Sequence, residues 1–238
     1  MGLRHVGPLI RKTTMNPVLA NLLKTGEVTA PNGEQVRLHS QLPELEGRLL
    51  QCWLERYRPS RLLEIGLAYG ISSLFICDAV RRWPIDSYHV IDAFQSEQWQ
   101  QIGVHNLQAA GFAHLVTVYE ELSELCLPRF LEHGHRYDFA FVDGWHTFDH
   151  VLTEFFYINR MLDVGGVVVF DDTQLPSIQK VIAHVDSYDC YERMVIPEEF
   201  PPSMSMKVRA VAGLPPVRIA GFVKTTRDER TWDWYRDF

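Results

Sequence analysis

The sequence predicts a doubly wound, Rossmann-like α/β fold: a seven-stranded sheet, mostly parallel with an antiparallel C-terminal strand, preceded by an N-terminal helical appendage. Three observations carry this expectation. From residue 61 onward, short β-rich runs alternate with longer segments of helical period, as in successive α/β units. Two runs, Phe139-Ala140-Phe141-Val142 and Val167-Val168-Val169-Phe170, are continuously hydrophobic, as strands covered on both faces must be. Both end in acids, Asp143 after the first and Asp171-Asp172 after the second, where open α/β sheets bind ligands.

Taken in order, residues 1–60 read as the helical appendage or lid, with the clearest helix at 43–57 and a short helix within 16–34 that ends in a turn at Asn32-Gly33. The sheet domain spans 61–238, with strands at 61–65, 88–92, 115–119, 138–142 and 167–170. Helices are expected at 71–82, 97–110, 122–133, 148–162 and 177–187. Gly111 and the Gly165-Gly166 pair mark left-handed C-terminal caps of the second and fourth helices. In the tail, strands at 191–196 and 217–223 flank a segment carrying Pro197, Pro201, Pro202, Pro215 and Pro216, which reads as a long loop joining an antiparallel closing pair and lying over the site.

The chain's 238 residues, 46% hydrophobic and 22% charged, are enough for one large core. A net charge of -7 without a dense Lys/Arg run opposes nucleic-acid binding. No apolar stretch is long enough for a membrane span, and 1–12 carries neither a signal-peptide core nor a myristoylation pattern, so a cytoplasmic protein is expected. Cys52, Cys77, Cys126 and Cys190 lack metal-knuckle or disulfide spacing and read as free thiols.

The acids at the strand ends are the chemical core of the sequence. Neighbouring parallel strands lie about 5 Å apart, so Asp143, Asp171 and Asp172 would share one rim with His146, and carboxylates that close hold either raised pKa values or a hard cation. The run from Glu64 through Gly66, Tyr69 and Gly70 to Ser72 is a strand, a glycine turn and a helix start, suited to close approach of a ligand. It lacks the G-x-G-x-x-G of a dinucleotide turn, and the acid Glu64 favours a cationic ligand over pyrophosphate, which disfavours a nicotinamide oxidoreductase. Asp92 closes the second strand 26 residues after Gly66, as a ribose-binding acid or as a helix cap. His146 and His150 are spaced for a zinc pair, but H-E-x-x-H is absent, and His146 could also serve a helix start.

The run from Glu64 to Ser72, the strand ending Ile91-Asp92, the segment from Glu121 through Ser123 to Leu125, the Val142-to-His146 segment and Gly165-Gly166 ahead of Asp171-Asp172 together resemble a class I S-adenosylmethionine-dependent methyltransferase. More narrowly, they resemble the metal-dependent small-molecule O-methyltransferases of the catechol and macrolide-sugar type. The resemblance spans about 39–189. It implies that Gly66, Tyr69, Gly70 and Ser72 hold the methionine portion of the cofactor, Asp92 the ribose hydroxyls, and Glu121 to Ser123 the adenine edge, with Glu64 and Asp143 also in the cofactor site. It implies a magnesium or other divalent ion on Asp143, Asp171 and Asp172, with His146 as general base beside Asp143. The Asp-Asp pair departs from relatives that carry Asn or Glu at one of those positions. The implied partner is a small hydroxylated acceptor, a sugar or phenol of a natural product, selected by 1–45 and the proline segment; a metal-independent enzyme and a non-catalytic cofactor-binding protein are the alternatives. Trp232, Trp234, Tyr235 and Phe238 would cap the core, close the acceptor pocket or support a homo-oligomer.

Overall fold

The computed structural model describes residues 14–198 and 200–238; the expectations for 1–12 lie outside them. Helix α1 (Pro17–Thr25) starts at Asn16, whose side chain accepts from the Val18 N–H, and ends at the left-handed Gly26. Strands β1 (Glu27–Thr29) and β2 (Gln35–Arg37) form a hairpin where only a turn was expected; Asn32 takes the Glu34 N–H and Gly33 adopts φ 88°. Strands of three residues give too short a period to read in sequence. Helix α2 (Glu44–Tyr57) buries Leu49, Leu50, Trp53 and Leu54 in the same core as the main sheet.

The main sheet uses β3 (Arg61–Ile65), β4 (Ser87–Ile91), β5 (Thr117–Tyr119), β6 (Tyr137–Val142), β7 (Leu162–Phe170), β8 (Tyr191–Arg193) and β9 (Ala220–Lys224) in the order β5-β4-β3-β6-β7-β9-β8. The first five are parallel, and β9 enters antiparallel between β7 and β8. Side chains alternate between two cores: Phe139, Phe141, Val167 and Val169 face one, Ala140, Val142, Val168 and Phe170 the other. The connecting helices are α3 (Ile71–Val80), α4 (Ile102–Ala109), α5 (Ser123–Glu132), α6 (Phe148–Met161) and α7 (Pro176–Asp186). Strand order reverses between β3 and β6, which makes that junction the ligand crevice of an open α/β sheet.

Three expectations need correction. The Gly165-Gly166 pair does not cap α6, because α6 runs straight into β7 and Gly165 lies inside that strand at φ 88°. The buried Lys224 ammonium caps the helix instead, donating to the carbonyls of Asn159 and Leu162 at 2.5 and 3.1 Å. The proline segment is not all loop: α8 (Met204–Val211) forms within it, capped by Ser203, and it buries no residue. Helix α4 begins five residues later than expected because Phe94 to Gln101 turn tightly, with Gln100 and Gln101 at φ 50° and 56°. Gly111 does take the expected left-handed conformation after α4, at φ 77°. Among the described residues, no helix is long and apolar enough to cross a membrane.

Candidate active site

Register sets the site. Ile65 pairs with Ile91 on one side and Val142 on the other, and Val142 pairs with Phe170. The next residues along, Asp92, Gly66, Asp143 and Asp171, therefore leave the sheet side by side. The ladder continues one step, with Gly66 N–H to Ile91 O, Asp143 N–H to Ile65 O and Asp171 N–H to Val142 O at 2.9 to 3.0 Å. They open onto a cleft of about 780 Å³, closed by His39 to Pro43 from the N-terminal segment, Trp99 ahead of α4 and Arg218 ahead of β9. No described residue of 197–216 lines it, so the proline segment does not cover the cleft as expected.

On the β3 side the acids are fully engaged. Glu64 is completely buried and accepts hydrogen bonds from Ser72 Oγ and Ser73 Oγ, each at 2.5 Å, and from the Tyr88 hydroxyl. Burial pushes its pKa up to about 7 against those donors. Glu64 does not line the cleft, contrary to a direct ligand contact, and acts on it only through Ser72. Because the Ser72 hydroxyl spends its proton on Glu64, it faces the cleft as an acceptor alone. Asp92 lines the cleft, caps no helix, and braces the glycine turn and the loop after β4: Oδ2 takes Leu67 N–H, Ala68 N–H and Gln95 Nε2, and Oδ1 takes Phe94 N–H, all at 2.8 to 2.9 Å.

The glycines serve the protein's own backbone. A Cβ on Gly66, at φ 93°, would stand 2.0 Å from the Asp143 carbonyl oxygen, and one on Gly70, at φ 79°, 3.1 Å from that of Gly103. Gly70 is not in the cleft wall. Tyr69 is, in an aromatic group with His39 and Trp99 at ring separations of 5.0 to 5.9 Å.

The β6–β7 side is the reverse, with polar atoms that lack partners. His146 Nε2 lies 3.4 Å from Asp143 Oδ1 and 3.3 Å from Asp172 Oδ2, and it makes no hydrogen bond. The loop is pinned by Ser177 Oγ, which donates to the His146 carbonyl at 2.6 Å. Asp171 is 7% exposed and its Oδ1 has no partner. Burial, then Asp172, Glu64 and Glu154, push Asp143 well above the carboxylate range; burial, then Asp143 and Asp172, do the same to Asp171. Asp172 sits at φ 50°, a conformation Asp tolerates better than most side chains, with Gln174 Nε2 on its Oδ1 at 2.6 Å.

Among the described residues, Asp143, His146 and Asp172 bring ligating atoms within 4.8 Å of one another. The expected set has Asp171 in place of His146; His146 reaches into the space between Asp143 and Asp172, and Asp171 stands beside them in the cleft wall. A buried carboxylate oxygen and an imidazole nitrogen without partners, beside two further carboxylates, fit a divalent cation. His150 lies outside this cluster. It lines the cleft, and its ring stacks on Trp145 at 5.8 Å.

The third wall comes from α5 and α6. Glu121 lines the cleft and pairs with Arg129, which holds its pKa below the usual value. Ser123 Oγ donates to Glu154 Oε1 at 2.7 Å. Sequence reasoning missed Glu154, which is 1% exposed, lines the cleft, and is pushed up to about 7 by burial. Its signal was available: it stands between Val151 and Ile158 on the buried stripe of α6, where an acid has no structural reason to be. His39, Trp99 and Arg218 carried no comparable signal, since each comes from a loop.

Residues 63–173 match the profile of a family described as a methyltransferase domain, a span that holds the cleft-lining acids from Asp92 to Asp172. The chain has a methyltransferase fold. No curated protein matches the sequence. Among solved structures, the domain is similar to the O-methyltransferase TomG from Streptomyces achromogenes, solved with SAM (18% identity, TM-score 0.64, 90% of this chain and 92% of that one). An O-methyltransferase from Bacillus cereus solved with SAH shares 15% identity at TM-score 0.61 over 91% and 93% of the two chains. A putative caffeoyl-CoA O-methyltransferase from Staphylococcus aureus shares 16% at TM-score 0.57 over 78% and 85%. In this fold the glycine turn and the acidic rim face one cleft of a size for a cofactor and a small molecule together.

Proposed function

We propose that the protein transfers the methyl group of S-adenosylmethionine to a hydroxyl of a small molecule such as a sugar or phenol. The observation that carries this reading is the convergence of the unpartnered His146 Nε2 on Asp143 and Asp172 at the cleft floor. Ser72, an acceptor alone toward the cleft, suits the ammonium of the methionine portion, and Tyr69 would pack against its chain. The surrounding carboxylates favour a sulfonium over a neutral or anionic donor.

The acceptor oxygen attacks the methyl carbon in line, the carbon–sulfur bond breaks, and its electron pair returns to sulfur as the neutral thioether. His146 Nε2 takes the hydroxyl proton, and Asp143 and Asp172 stabilise the imidazolium that results. Asp143, Asp171 and Asp172 would hold a divalent cation, whose chemistry when bound is to acidify and orient a hydroxyl. A metal-independent reading has its own support, because His146 Nε2 already lies between the two carboxylates where it would take the proton. Methyl transfer from labelled S-adenosylmethionine to catechols and deoxysugars, with and without chelator, tests both. Loss of turnover on chelation, restored by magnesium, selects the metal-assisted reading; chelator-resistant turnover selects the other. Tight cofactor binding without transfer to any acceptor ends the catalytic proposal.

A further inference from the structure

A second cavity, of about 750 Å³, lies at the other end of the sheet, where β6 and β7 begin and α6 and β9 end, and it shares no residue with the cleft. The chain carries a net charge of -7, yet this cavity is lined by five cationic side chains, Arg136, Arg160, Lys224, Arg227 and Arg230, against two carboxylates, Asp163 and Asp228. Both carboxylates are already engaged. Asp163 lies between Arg136 and Arg61 at 2.7 and 2.9 Å, and the Arg230 guanidinium, 2.6 Å from Asp228, holds that carboxyl down to about 2. Arg160, Lys224 and Arg227 therefore line the cavity without an ion-pair partner among the described residues. The wall is built from buried polar groups as well as exposed ones, since Lys224 and Asn159 are 6% and 3% exposed. The negative end of α6 is covered, because Lys224 and Arg136 take the carbonyls of Asn159, Leu162 and Arg160. Trp232, 97% exposed in the same wall, leaves its indole faces open.

Guanidinium and ammonium groups without carboxylate partners call for an anion, and the guanidinium fork matches the oxygens of a phosphate. The cavity has room for more than an inorganic ion, and the open indole of Trp232 suits a flat ring. We propose that this cavity binds a small phosphate monoester bearing a planar ring, with its phosphate among Arg160, Lys224 and Arg227 and its ring on Trp232. The site is separate from methyl transfer and stands whether or not the cleft takes S-adenosylmethionine.

The test is calorimetric titration of phenyl phosphate, phenol and inorganic phosphate into the full chain and into its Arg227→Glu and Trp232→Ala variants, with thermal unfolding of all three proteins. The wild type should bind phenyl phosphate at a single site, about 10-fold or more tightly than phenol and about 5-fold more tightly than inorganic phosphate. Arg227→Glu should weaken the ester about 30-fold and Trp232→Ala about 5-fold, both at unchanged unfolding temperature because both side chains are exposed. If Arg227→Glu unfolds early, Arg227→Gln, expected to bind about 10-fold more weakly than the wild type, decides in its place. A wild type that does not bind the ester overturns the proposal, as does equal binding by the wild type and the Arg227 variant. Equal affinity for phenyl phosphate and phenol overturns the anion's part. Equal affinity for the ester and inorganic phosphate, or an unchanged affinity in Trp232→Ala, overturns the place given to the ring.

Discussion

The two halves of the rim treat their acids in opposite ways. Glu64 and Asp92, at the end of β3 and just beyond β4, accept three and four hydrogen bonds from the protein itself. Asp171 keeps an oxygen without a partner beyond β7, and His146 keeps a nitrogen without one in the loop after β6. An acid that is satisfied internally builds the shape of a turn, whereas an unsatisfied one is free to meet a ligand, a proton or a cation. The contrast assigns construction to the β3–β4 half and reaction to the β6–β7 half.

Removing an unsatisfied acid should damage chemistry and spare the fold. Asp171→Ala should lower methyl transfer by about 10³-fold while S-adenosylhomocysteine affinity in calorimetry stays within about 3-fold. A variant with near-normal turnover would break the division between the halves. The turn is the next most sensitive place: Gly66→Ala drives a Cβ into the Asp143 carbonyl and should destabilise by about 3 kcal/mol or more in urea unfolding, with loss of cofactor binding.

Glu64 tests the constructive half through pH. Its pKa is raised in the fold from 4.5 to about 7, so the protonated form is the one folding favours, and its contribution is complete below about 4.5 and lost as pH rises to about 7. Glu64→Gln cannot lose that proton. The stability of the wild type relative to this variant should therefore fall across pH 4.5 to 7, by up to about 3 kcal/mol; a pH-independent difference in paired unfolding curves would show that burial does not govern Glu64. The smallest effect belongs to a cation in neither half. Lys224→Met should cost about 1 kcal/mol or slightly more through the lost cap on α6, with cofactor affinity unchanged.

The same contrast explains what the sequence could tell. Uninterrupted runs such as Val167 to Phe170 announced central strands, and the acids after them announced the rim, because both are local patterns. Whether an acid is satisfied depends on residues far along the chain, so nothing near Asp92 in sequence announced the hydrogen bonds it takes from Leu67 and Ala68. Lys224 replaced a predicted glycine cap from 62 residues away, which no local pattern contains. Glu154 is the instructive miss, since its place on the apolar stripe of α6 was visible and its meaning was not.

The most direct test of the reacting half is transfer of labelled methyl from S-adenosylmethionine to a panel of catechols and deoxysugars, run side by side with wild type and His146→Ala. Methyl-ether product from the wild type, reduced about 10²-fold or more in the variant at equal cofactor affinity, is the predicted result. Equal product from both proteins would contradict the assignment of the proton to His146 and of the chemistry to the rim beyond β6 and β7.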